Sequence, residues 1–183
     1  MVLAILVQDN SRHVAGSLQS APRRLEPSRL ERHRDRLFRA AYAMCRSRED
    51  AEDLVQDTYA QVLRRPRFLR RDDDLVYLLR ILRNRWATVA ATAARRRTSP
   101  APPEDLEWVV DRRADPDGGA MDAQLAYDAI ADLTEPLRET IIAVDVVGLS
   151  YREAVRLLRT RDGTIMSRLF RAREQVAAAL EPR

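Results

Sequence analysis

The chain has 183 residues, room for one or two small domains and too few for most large enzyme folds. It is 45% hydrophobic and 33% charged, with five glycines and one cysteine, which excludes pervasive disorder, a collagen-like repeat, an internal disulfide and a cysteine-rich zinc site. The net charge of +4 hides a segregation: residues 64–97 hold 11 arginines against 3 acidic residues, residues 101–128 hold 2 against 8, and residues 148–183 hold 8 against 4.

The first ten residues, MVLAILVQDN, open with an apolar run too short to span a bilayer, and no later run reaches that length. The expectation is a cytoplasmic protein with no membrane insertion. Residues 1–29, polar after the apolar run and interrupted by Pro22 and Pro27, are expected to form a mobile leader. From Leu30 the pattern turns helical: Leu30, Leu37, Phe38, Ala41, Met44 and Cys45 recur at spacings of three and four. Cys45 on that stripe reads as a core thiol. A second helix starts near Arg48, with Ala51, Leu54, Val55, Thr58 and Val62 on one side and Glu49, Asp53, Gln56 and Asp57 on the other. Pro66 ends it, and the basic loop RPRFLRRDDD follows.

Asp72, Asp73 and Asp74 can cap the third helix. There Leu75, Leu79, Leu82, Trp86, Ala90 and Ala93 form the apolar stripe, opposite Tyr77, Arg80, Asn84 and Thr88. Trp86 therefore reads as core. After Arg95-Arg96-Arg97, prolines 100, 102 and 103 forbid helix, and residues 98–120 read as a flexible acidic linker. A second unit spans residues 121–183. Leu125, Ala129 and Ile130 mark its first helix. Thr134 is the expected cap of the next, with Pro136 in its first turn; Leu137, Ile141, Val144 and Val147 follow, and Gly148 stops it. No useful strand alternation occurs, so the fold class is all-α, two small helical domains.

Ser150 and Glu153 form a capping box. It opens a short helix with Ala154, Leu157 and Leu158 inward, then a turn at Thr160–Asp162. A longer helix follows, with Ile165, Leu169, Ala172, Val176 and Leu180 on one face and Phe170 among the residues pointing away. A capped short helix, a tight turn and a longer arginine-bearing helix make a helix-turn-helix at about 150–173. Thr164, Ser167, Arg168 and Arg171 supply the short polar and forked cationic groups that reading a DNA groove requires. Two basic blocks flanking an acidic one agree with two surfaces for a polyanion. No phosphate loop, Ser/His/Asp set or metal-ligand cluster occurs, so no enzyme activity, metal or cofactor is expected.

Three segments in order, AEDLVQDTYAQVL at 51–63, YLLRILRN at 77–84 and GLSYREAVRLLRTRDGTIMSRLFRAR at 148–173, resemble the extracytoplasmic-function sigma factors of bacterial RNA polymerase. The resemblance covers about residues 30–180. It implies sigma region 2 at 30–97 and sigma region 4 at 121–183. It implies that Asp53, Gln56 and Asp57 meet the coiled coil of the polymerase β′ subunit. Arg67, Arg70, Arg71, Tyr77, Arg80 and Asn84 are implied to recognise and open the −10 promoter element. The second unit is implied to bind the β flap and to read the −35 element through Thr164, Ser167, Arg168 and Arg171. An anti-sigma factor is the implied regulator. The turn RTRDG departs from the family's usual apolar residue and proline before the glycine, Met166 stands where Lys or Arg is frequent, and Leu82 where a small residue is usual. The alternative is a conventional helix-turn-helix regulator binding operator DNA, which leaves the motifs of the first unit unexplained.

Overall fold

The computed structural model describes residues 23–25, 30–64, 68–69, 74–98 and 119–181. A single 3-10 turn, Glu31–His33, leads into α1, Arg34–Cys45, followed by α2, Arg48–Arg64, and α3, Asp74–Thr98. The second half contains α4, Gly119–Asp132; α5, Glu135–Ile141, continued by a π-helical turn Ile142–Val146; α6, Tyr151–Leu158; and α7, Asp162–Leu180. The linker expected over 98–120 lies outside the described residues, except that helix claims Thr98 and begins again at Gly119.

Two-residue strands β1, Arg23–Arg24, and β2, Phe68–Leu69, pair antiparallel, Arg23 with Leu69 and Arg24 with Phe68. The expectation of a mobile leader over residues 1–29 therefore differs from the structure at Arg23–Leu25. The reason is apolar burial: Leu25 is 5% exposed and joins the core. The rest of that leader is outside the described residues.

Helix α2 carries its period on the surface of the sequence. Its buried residues are Ala51, Leu54, Val55, Thr58 and Val62, the predicted set. Ser47 caps it by accepting from the Asp50 amide at 3.2 Å, and Glu49 and Asp50 lie in the first turn, where the helix dipole favours negative charge. The buried Thr58 hydroxyl donates to the Leu54 carbonyl at 2.8 Å, so its polarity costs little. Tyr59 donates to the Leu30 carbonyl at 3.0 Å and holds the entry to α1.

Helix α3 is buried on more than the predicted stripe. Leu75, Leu79 and Leu82 are buried as expected, but so are Val76, Leu78 and Ile81. Leu79 and Arg83, with Met44 of α1, line a small cavity closed from the other side by Ile142, Ala143, Val147, Leu157 and Leu158. The second half thus packs on α3 at Leu79 and Arg83, and buried residues of both halves form one apolar core. Farther along, α3 runs out of partners: Trp86 is half-buried at the core's edge, Ala90 is exposed and Ala93 half-buried, against the expectation of a continuous stripe.

In α4 the expected Leu125 is 48% exposed and Met121 60%, while Ala126, Ala129 and Ile130 are buried. Thr134 stands at the N-cap of α5 with no side-chain bond; its carbonyl accepts from the amides of Leu137 and Arg138. Pro136 lies in the first turn as expected. After Ile141 the helix widens: the Val147 amide bonds the Ile142 carbonyl at 2.9 Å, five residues back. Gly148, at φ +76°, then ends it, and the Leu149 amide closes onto the Ala143 carbonyl at 3.0 Å.

Cys45 is buried at the C-terminus of α1, its thiol donating to the Ala41 carbonyl at 3.1 Å. Burial pushes this thiol up to about 11. At pH 8 about one Cys45 thiol in a thousand is then ionised, against roughly a quarter for an ordinary cysteine. A disulfide reagent at pH 8 should therefore modify Cys45 about a hundredfold more slowly in the folded chain than in denaturant, since only the thiolate attacks. Equal rates in the two conditions would show the thiol exposed.

Candidate nucleic-acid interface

Helix α6 opens with the predicted capping box. The Glu153 carboxylate accepts from the Ser150 amide at 2.8 Å and its hydroxyl at 2.6 Å, and the Ser150 hydroxyl oxygen accepts from the Glu153 amide at 3.4 Å. The helix ends at Arg159 in the left-handed region, φ 51°, and three residues later α7 begins. Its inward face, Ile165, Leu169, Ala172 and Val176, is buried as the period predicts. Asp162 lies in the first turn of α7, where its charge suits the helix dipole.

The orientation of α7 is fixed by an ion pair. Arg173 donates Nε and Nη2 to the two carboxylate oxygens of Asp145 at 2.9 and 2.7 Å. Asp145 sits on the π-helical turn with its side chain 6% exposed. Hydrogen bonding to that carboxylate raises the Arg173 pKa above its ordinary value. A forked pair of this kind sets angle as well as distance.

With α7 so held, Ser167 and Arg171 are exposed and Thr164 and Arg168 half-buried. Ser167 donates to the Thr164 carbonyl at 3.1 Å. Met166 and Phe170, 58% and 69% exposed and one turn apart, stand beside them. The sequence points Phe170 outward but gives neither residue a role. Their signal was chemical: large apolar groups set among outward polar ones. Such groups suit the methyl of thymine as arginine suits guanine.

In the first half Asp53, Gln56 and Asp57 are all exposed on α2. Asp57 is ion-paired with Arg85 of α3, which also reaches Gln61 at 3.4 Å. Of the residues placed at the −10 element, Arg67, Arg70 and Arg71 lie outside the described residues. Tyr77 is half-buried against the core and Asn84 exposed. Arg80 is diverted: its Nη2 donates to the Arg156 carbonyl of α6 at 3.2 Å, while Nε is buried without a hydrogen-bond partner. The structure brings Thr164, Ser167, Arg168 and Arg171 onto one helix. It does not leave Arg80 on an open face with Tyr77 and Asn84. Among the described residues no group of three or more His, Cys, Asp or Glu side chains could hold a metal ion, and no helix is long and apolar enough to cross a membrane.

Comparison with known proteins matches residues 30–98 to the family "Sigma-70 region 2" and residues 123–176 to "Sigma-70, region 4". The chain is 31% identical over 150 residues to the ECF RNA polymerase sigma factor SigE of Mycolicibacterium smegmatis, covering 80% of this chain and 58% of that one. It therefore spans less than two thirds of that relative's length. It is 36% identical over 135 residues to the ECF RNA polymerase sigma factor SigC of Mycobacterium tuberculosis, covering 72% of this chain and 71% of that one. Among solved structures it resembles the sigma factor RpoE of Bartonella quintana in complex with the anti-sigma factor NepR. That likeness has a TM-score of 0.64 at 25% identity over 84% of this chain and 94% of that one.

The Asp145–Arg173 pair is asymmetric in burial, and so should be the cost of breaking it. Arg173→Met leaves a buried carboxylate unpaired and should destabilise the full chain by about 2–3 kcal/mol, somewhat below the figure for a fully buried pair because the arginine is partly solvated. Asp145→Asn keeps a hydrogen-bond acceptor and should cost about 1 kcal/mol. Urea unfolding of both variants measures the difference. Equal costs would mean that the pair does not restrain α7.

Proposed function

The chain belongs to the sigma-70 family, in its extracytoplasmic-function group, and on that premise we propose that it directs core RNA polymerase to specific promoters and starts transcription there. The observation that carries this reading is the capped two-helix unit of α6 and α7, braced by Asp145 and Arg173, with Ser167 and Arg171 turned to solvent. Under this reading α7 enters the major groove of the −35 element through Thr164, Ser167, Arg168 and Arg171. The second half also binds the β flap. Asp53, Gln56 and Asp57 meet the β′ coiled coil. Arg67, Arg70, Arg71, Tyr77, Arg80 and Asn84 take the −10 strand, the tyrosine by stacking on an unstacked base and the arginines by holding phosphate.

No residue performs covalent chemistry in this scheme, and the work is positional, in the cytoplasm where polymerase acts. An anti-sigma factor is the proposed regulator; the Bartonella quintana relative is seen bound to one. A regulator that binds operators alone leaves the first-half match at residues 30–98 without a purpose.

Two expected outcomes follow from the surface residues. Replacing Asp53 and Asp57 together by Arg should weaken binding to core polymerase by at least about tenfold, since like charges opposed at an interface cost several kcal/mol. The fold should stay intact because both side chains are exposed and the Asp57–Arg85 pair that is lost is a surface pair contributing of order 1 kcal/mol or less. A pull-down showing unchanged affinity removes the β′ assignment. Arg171→Ala should cost about 1–3 kcal/mol on a preferred −35 sequence and relax preference at one position if the guanidinium reads a base. If it holds phosphate, all sequences should weaken and the salt slope should fall by about one. Binding of the full chain to a randomised −35 duplex library at two salt concentrations separates the two. No change in either would mean that α7 does not read DNA through this arginine.

A further inference from the structure

The segment before α1 and the loop between α2 and α3 are tied together. Strands β1 and β2 pair antiparallel, with Arg24 opposite Phe68 and Arg23 opposite Leu69. The next residue, Leu25, is buried in the core, and so is Leu30. From α2, the Tyr59 hydroxyl donates to the Leu30 carbonyl. His33, half-buried at the N-cap of α1, feels the charge of Asp74, the first residue of α3. Residues 23–33 therefore meet the loop at β2 and meet both helices that the loop joins.

The pairing is weak by itself. Two strands of two residues each are marginal in water. β1 consists of two arginines, and β2 is bounded in sequence by Arg67 and Arg70, so cross-strand charge opposes the ribbon. Apolar burial at Leu25 and Leu30 offsets that repulsion. The ribbon is thus maintained from the core side, and it concentrates charge of the sign that a phosphate backbone requires.

The place of the pairing matters. Arg67 and Arg70, on either side of β2, are two of the residues proposed for the −10 strand, and Arg71 follows them. A loop running from Arg64 to Asp74 has many backbone forms open to it when only its ends are fixed. Pairing at Phe68 and Leu69, near its centre, removes most of them. A loop arranged in advance spares the ordering that binding would otherwise require.

We infer that residues 23–33 are a brace for the −10 loop: β1, anchored by Leu25, sets the backbone at Phe68 and Leu69 and with it the arginines on either side, so that Leu25 is a positioning residue for the −10 strand. The inference rests on the promoter-binding reading for its DNA consequence, but not for the brace itself. If the unbraced loop holds its binding form one time in ten, the apparent affinity for a single strand falls about tenfold.

Two changes in the full chain test it. Leu25→Ser leaves the charge unaltered. It should weaken binding to a mixed-sequence single-stranded DNA oligonucleotide by about tenfold and leave binding to the −35 duplex library as in wild type. Leu25→Met, which refills the buried site, should restore the single-strand affinity. A cross-link supplies the converse. Antiparallel cross-strand partners have Cα atoms about 4.5–5.5 Å apart, within disulfide range. R24C/F68C should therefore oxidise to an intramolecular disulfide, with the buried Cys45 left out of it. In R24C/L25S/F68C the oxidised form should bind the oligonucleotide about tenfold more tightly than the reduced form, a comparison at constant charge. Circular dichroism establishes beforehand that the helices are formed, and if Leu25→Ser does not fold, Leu25→Ala takes its place in both arms. Failure of R24C/F68C to form the disulfide overturns the ribbon and the brace with it. Wild-type single-strand affinity in the folded Leu25 variant, or equal affinity of the oxidised and reduced forms, overturns the positioning role and leaves the promoter-binding reading standing. Equal weakening on single strand and duplex marks a general loss of stability and overturns that role likewise. Absence of binding to either DNA, by wild type and oxidised protein alike, overturns the promoter-binding reading and the DNA consequence of the brace together.

Discussion

The fork of Arg36 onto the carbonyls of Val147 and Gly148 is the contact around which the two halves are arranged. It works because three local events coincide. Helix α5 widens into a π turn, Gly148 adopts a positive φ that an L side chain resists, and the chain end so formed leaves two carbonyls side by side. A planar guanidinium fits two such acceptors, where an ammonium would serve one as a point charge. Burial of apolar surface from both halves around this point supplies the non-directional part of the attraction, and the arginines supply the register.

The register matters because the apolar seam alone is permissive. Met44 and Leu79 on one side and isoleucine, alanine, valine and leucine on the other would accept several rotations of one half against the other. Ion pairs at Arg46–Asp128 and Arg83–Glu139 lie at separate points of the seam, and each rejects a rotation that the apolar contacts allow. Their individual contributions are small at partly exposed positions, of order 1 kcal/mol or less. Their value lies in specifying one arrangement, and an arrangement held by several weak contacts is also one that opens.

The sequence was most legible where one face of a helix meets one partner. The buried set of α2, the inward face of α7 and the capping box at Ser150 all follow from spacing and local hydrogen bonding. It was least legible where a helix is covered from two sides. Val76, Leu78 and Ile81 of α3 lie off the predicted stripe yet are buried, in a helix that meets α1 and α2 as well as a second body arriving from far along the chain. Periodicity carries no information on that arrival. Arg80 shows the same limit at the candidate site, since its spacing from Tyr77 and Asn84 places it on a polar face but says nothing of the carbonyl of Arg156. In α4 the spacing selects Leu125 with Ala129 and Ile130; the two latter are buried, but close helix packing takes Ala126 in place of the larger Leu125.

The π turn at Ile142–Val146 has a consequence for how this chain tolerates insertion and deletion. A helix that takes in one residue without completing a turn rotates everything after it by about 100° about its axis. Here that offset decides which way Asp145 points, and with it which side of α7 is drawn inward by Arg173. Removing Ala143 or Val144 would leave a regular helix one residue shorter and change the offset between Asp145 and the residues before it. The spacing of this short stretch is therefore as much a part of how α7 is oriented as the side chains that α7 turns to solvent, although none of its residues lies on that helix.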